Sequence, residues 1–109
     1  MLEHYVVFKP HPQRADELEK ALAAFAAGMA GTLPCLLELS WGANTNASGL
    51  RHGYTHGCFA RLTSPDSLTE EYWIHPAHQR LLAQLDDLCE DRFALDYVTD
   101  DVVRGGAQQ

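Results

Sequence analysis

Basic side chains are scarce in this chain. Eight Lys and Arg stand against fifteen Asp and Glu, a formal net charge of −7. A nucleic-acid surface neutralises phosphates with Lys and Arg, so this balance excludes that class of partner. It excludes an anionic membrane surface for the same reason. Cysteine is nearly absent. Cys35, Cys58 and Cys89 are odd in number and share no C-x-x-C spacing, which encodes neither a disulfide framework nor a zinc knuckle. No apolar run approaches the ~20 residues of a membrane span, and the opening MLEHYVVFKPHP has no basic-then-apolar leader. The chain is therefore expected in the cytoplasm. Repeats, low-complexity tracts and linkers are also missing. The 109 residues, 46% hydrophobic, read as one domain over 1–100. The polar, Gly-containing tail 101–109 is expected to be flexible.

What is present is a regular alternation of periods. His4-Tyr5-Val6-Val7-Phe8 is β-branched and aromatic, which predicts a first strand. Residues 12–30 carry Leu18, Leu22, Phe25 and Met29 at helical spacing, and Gly31 with Pro34 closes that helix. In 35–41, Leu37, Leu39 and Trp41 alternate with Glu38 and Ser40, a second strand. Residues 42–53 are rich in Gly, Asn and Ser without periodicity. They predict a loop, long enough to cover a site. A third strand over 54–62 puts His56, Cys58, Ala60 and Leu62 on one face. Ser64-Pro65 starts a helix, with serine as cap and proline in the first turn.

Proline then interrupts that helical region at Tyr72-Trp73-Ile74-His75-Pro76-Ala77-His78. The residue before a proline is driven from helical angles, while proline suits a first helical position. One segment should end near His75 and another begin at Pro76. Tyr72 then closes the first and His78 opens the second, a phenol beside an imidazole. Leu81, Leu82, Leu85, Leu88 and Cys89 give the second segment its apolar stripe. Phe93, Leu95 and Tyr97 alternate with Ala94, Asp96 and Val98 in a last strand.

The order β-α-β-β-α-β predicts the α+β ferredoxin-like arrangement: a four-stranded antiparallel sheet with both helices on one face. The other face stays bare, and an apolar patch of that size is rare on monomers. The expectation is a homodimer formed through the open sheet face, a dimeric α/β barrel.

Four places together carry a family resemblance: His4-Tyr5-Val6-Val7-Phe8-Lys9, Gly53-Tyr54-Thr55-His56, His75-Pro76-Ala77-His78 and Asp96-Tyr97. In this order and spacing the chain resembles the stress-responsive A/B barrel domain family of the dimeric α+β barrel group, from His4 to about Tyr97. The resemblance implies a role in stress tolerance. It also implies the site of a cofactor-independent plant polyketide cyclase of that family, whose catalytic tyrosine and histidine correspond to Tyr72 and His78. Histidines lining that enzyme's pocket match His4 and His56.

Strand alternation supports such a pocket without the resemblance. His4, Val6 and Phe8 share one face, as do His56, Cys58 and Ala60. If both faces look toward the helices, His4, Phe8, His56 and Cys58 line a cleft beneath the Tyr72–His78 break. Near a helix N-terminus the macrodipole favours neutral imidazole, so His78 could act as general base. Tyr72, with an ordinary pKa near ~10, could donate a hydrogen bond to a developing enolate or alkoxide. No metal or cofactor is called for.

Plainer roles stand beside these. His75 reads as a cap. His78 could hold a loop carbonyl, Tyr72 could be a core aromatic, and His4 with His56 could bond to each other. Trp41 and Trp73 read as core or dimer contacts, and Cys58 and Cys89 as small buried hydrophobes. His75/His78 and His52/His56 have chelating intervals, but a proline breaks the first pair and a strand start the second. Two function classes follow: a dimeric barrel binding a small apolar or aromatic ligand, or a cofactor-free cyclase, lyase or isomerase acting on a β-keto substrate. A cofactor-free monooxygenase is a third, weaker alternative.

Overall fold

The computed structural model describes residues 1–106. Strand β1 (Leu2–Pro10) is followed by helix α1 (Ala15–Met29), β2 (Leu36–Ala43) and β3 (His56–Leu62). Then come the short α2 (Pro65–Ser67), a π-helical turn (Leu68–Tyr72), α3 (Pro76–Leu88) and β4 (Cys89–Val98). The strands form one four-stranded sheet in the order β2-β3-β1-β4, and every pairing is antiparallel. This is the ferredoxin-like α+β arrangement expected from the sequence, with an extra π turn before the proline break.

Register sorts the side chains between the two faces. In an antiparallel pair, directly opposed residues point the same way. His4 opposes Ala60 and Asp96, Val6 opposes Cys58 and Ala94, and Phe8 opposes His56 and Arg92. All of these face the helices. Leu18, Leu22, Phe25 and Met29 of α1 and Leu81, Leu85 and Leu88 of α3 close over them. Each buried Leu contributes about 1.5–3 kcal/mol. Gly28 lets the helices meet, since a Cβ there would lie 2.9 Å from that of Ala77.

Several sequence expectations shift in detail. Helix α1 begins at Ala15 rather than residue 12, because Gln13 takes a left-handed φ of 68° that helical geometry forbids. In β2 the register slips between Leu36 and Glu38. Leu36 rather than Leu37 takes the inward place, and Leu37 is exposed. Cys89 opens β4 instead of ending the α3 stripe. Residues 101–106 form neither helix nor strand. The remaining part of the tail assigned as flexible, 107–109, lies outside the described residues.

Among the described residues no helix covers the other sheet face. Tyr5, Phe93, Leu95 and Tyr97 point into it and remain exposed, with Tyr5 stacked on Tyr97 at 5.9 Å. Beside them Arg61 forks onto Glu3 at 2.9–3.1 Å and reaches Glu38 at 2.6 Å. Among the described residues no helix is long and apolar enough to cross a membrane.

Candidate functional site

The break before Pro76 shapes the site. Ser64 caps α2 by accepting a hydrogen bond from the Ser67 amide. The chain then widens, with the Trp73 amide bonding five residues back to the Leu68 carbonyl at 2.9 Å. A π turn inserts one residue into a helix and recurs at functional sites. Here Tyr72 is 2% exposed, whereas Trp73 and Ile74 are 51% and 63% exposed. His75 takes the extended ψ of 136° that proline imposes. Its Nδ1 accepts from the Ala77 amide at 3.0 Å, and its Nε2–H donates to Thr32 Oγ1 at 2.9 Å. His75 is a cap with both ring nitrogens engaged.

His78 is buried in the first turn of α3. Its Nδ1 lies 3.0 Å from the Trp73 carbonyl oxygen, which can only accept, so Nδ1 carries a proton. Burial pushes the imidazole pKa down, and the nearby charges of His4, Arg92 and His75 act the same way. The bond to the Trp73 carbonyl opposes them without reversing the direction. The neutral ring therefore presents a bare Nε2 lone pair.

Tyr72 packs against that ring at 4.8 Å between centroids, and against His4 edge-on at 5.6 Å. Burial raises its phenol far above the ordinary range, with Cys58 and Asp96 adding to the shift. It is a hydrogen-bond donor at neutral pH, and its hydroxyl makes no hydrogen bond among the described residues. Since no fully buried side-chain N or O among them lacks a partner, that hydroxyl opens on the adjoining space.

That space is a cavity of about 300 Å³ between sheet and helices. His4, Val6, Phe8 and Cys58 form its floor with Arg92 and Ala94. Phe25, Tyr72, Trp73, His78 and α3 leucines form its walls. His4 donates from Nδ1 to the Asp96 carboxylate. Burial pushes the Cys58 thiol up to about 12, so it is a packing group and not a nucleophile.

Of the six residues singled out from sequence, five meet at this cavity: His4, Phe8, Cys58, Tyr72 and His78. The sixth, His56, faces the helices but does not line it. Its Nε2 is 2.7 Å from Glu19 of α1 and its Nδ1 is 2.8 Å from Thr55. His4 and His56 are thus not bonded to each other; each has its own carboxylate. Residues 44–55 contribute nothing to the lining, because the loop is folded onto itself. Asn44 donates to the Tyr54 carbonyl, and the Thr55 amide to that of Phe8. Sequence reasoning missed Arg92, and missed Asp96 as the partner of His4. Both sit at even steps from Ala94 on β4, and that period was a signal for their shared face. Among the described residues no three His, Cys, Asp or Glu side chains converge as a metal-binding group.

A ferredoxin-like α+β sheet with one bare face and a cavity under its helices defines the class of protein. The chain matches the stress responsive A/B barrel domain model over residues 2–99 and belongs to that family. A dimeric ferredoxin-like protein of unknown function from Jannaschia sp. CCS1 is similar at 27% identity and TM-score 0.81, over 90% of this chain and 98% of that one. A crystal structure of an Arabidopsis thaliana protein superposes at TM-score 0.76 and 20% identity, over 95% and 100%. The hydroxynitrile lyase of Passiflora edulis does so at 0.75 and 16%, over 94% and 96%. No curated protein sequence matches the chain.

Proposed function

We propose that this chain is a homodimer, joined through the bare sheet faces, whose cavity binds a small, largely apolar molecule and moves a proton beside its carbonyl group without a cofactor. The observation that carries the chemistry is the orientation of His78. With Nδ1–H fixed on the Trp73 carbonyl, Nε2 is left bare on a ring packed against Tyr72, whose hydroxyl makes no hydrogen bond among the described residues. A neutral buried imidazole removes a proton; a donor held in an apolar pocket stabilises the oxyanion that forms. Enolisation, aldol-type closure and isomerisation of a β-keto compound all begin with that step. The dimer reading is supported by exposed Phe93, Leu95 and Tyr97 on the bare face and by a dimeric neighbour of the same fold. Cytoplasmic location and a stress-tolerance role are part of the same proposal.

The test is proton exchange in D2O with a 1,3-diketone such as 1-phenylbutane-1,3-dione, followed by proton NMR. The purified dimer should speed loss of the α-proton signal above the buffer rate, and His78→Gln should return it to that rate. Saturable binding with exchange at the buffer rate would leave a binding protein without this chemistry. Exchange unchanged in His78→Gln would remove the assigned base.

A further inference from the structure

Arg92 is the only arginine or lysine among the described residues lining the cavity. It stands on β4 opposite Phe8, at the end of the face shared with Ala94 and Asp96. Among the described residues its guanidinium has a single acidic contact, Asp86 at 3.3 Å, whose side chain is 76% exposed. An ion pair this long and this wet is screened and readily exchanged. Arginine carries five N–H donors in a planar fork, so most of that fork stays free. Asp96, outside the lining, lies four residues along the same strand face, about 13 Å away at ~3.3 Å per residue. It is already occupied by His4. The cavity therefore has an available cation at one end of its floor and the Tyr72–His78 pair on its wall.

This polarity narrows the ligand. A carboxylate matches the guanidinium fork with two parallel hydrogen bonds. A phosphate or diphosphate brings more charge than one arginine neutralises in a chain of net charge −7. Resting on the cavity reading above, we propose that the ligand is a small organic monocarboxylate with an apolar body. Its carboxylate forks on Arg92 and its apolar part lies against Phe8, Phe25 and Leu85. Arg92 is then the residue that selects acids over neutral molecules of equal shape.

The experiment compares 3-phenylpropionate with its neutral amide, each titrated into the full-length protein by NMR at low salt. The acid should bind about tenfold more tightly than the amide, and 0.5 M NaCl should shrink that preference. Arg92→Gln should weaken the acid about tenfold and leave the amide unchanged, while Arg92→Lys should restore part of the preference. Equal binding of acid and amide, or a preference that survives Arg92→Gln, would overturn the selection by Arg92 and leave the cavity reading standing. If neither compound perturbs Tyr72 or His78 resonances at millimolar concentration, both readings fall. The salt arm needs no variant, so a poorly folding Arg92→Gln does not shelter the idea.

Discussion

The two faces of the sheet are completed in opposite ways. Under the helices, polar side chains find partners within the chain: His4 with Asp96, His56 with Glu19, and His78 Nδ1 with the Trp73 carbonyl. Among the described residues the Tyr72 hydroxyl and His78 Nε2 are exceptions, and both side chains line one cavity. On the bare face the polar cluster of Glu3, Arg61 and Glu38 is satisfied, while the apolar side chains of β4 are not covered. Phe93, Leu95 and Tyr97 point out and Arg92, Ala94 and Asp96 point in, the reverse of what one isolated chain would select. The unfinished parts of the covered face invite a ligand. Those of the bare face invite another copy of the sheet.

Breaking the covered face at its exceptions should give the largest effect. Tyr72→Phe and His78→Gln are each expected to cut catalysed proton exchange by about 10²–10⁴, with circular dichroism and dimer mass unchanged. Exchange within threefold of the parent in either variant would remove that residue from the chemistry.

Next comes the bare face. Leu95→Glu places a charge among the exposed aromatic side chains of β4, where apolar burial would otherwise drive association. Light scattering should then report the 12.1 kDa monomer in place of a dimer. Persistence of the dimer mass would move the interface to another surface.

His56 sharpens the contrast inside the covered face. It is buried and bonded to Glu19 but lies off the cavity. His56→Ala should cost about 1–3 kcal/mol in chemical denaturation, through the lost bonds and volume, and change exchange less than twofold. A loss of exchange as large as in His78→Gln would put His56 in the site after all. The smallest effect belongs to Gly28→Ala, which crowds Ala77 at 2.9 Å. Overpacking of about 1–3 kcal/mol is set against about 1 kcal/mol of helix propensity. A modest fall in Tm is expected, and a rise would show that the helices separate freely.

Much of this was legible in the sequence because period and punctuation carried it. Alternation in β1 and β3 grouped His4 with Phe8 and His56 with Cys58 on shared faces, and Pro76 located the break that joins Tyr72 to His78. What escaped depended on long-range register or local irregularity. Glu19 lies 37 residues from His56, and Asp96 lies 92 from His4, so only the packed sheet and helix reveal those pairs. The bulge after Leu36 reversed the inward place in β2, and a hydrophobic count cannot see a bulge. Arg92 was hidden by β4 itself, whose apolar residues advertise the face that a single chain leaves open.

The central claim is that His78 holds its proton on Nδ1 and offers a bare Nε2 to the cavity. Histidine-selective ¹⁵N NMR across pH 4 to 8 reads this directly. At pH 7 His78 should be neutral with Nδ1 protonated, and it should take up its second proton only below the ordinary pKa of 6.5. Because the folded pKa lies below the unfolded one, the unfolded chain binds the proton first. Stability should hold above pH 6.5 and fall as the pH drops from there toward the folded pKa. An Nε2–H tautomer, or an imidazolium already formed at pH 7, would contradict the account.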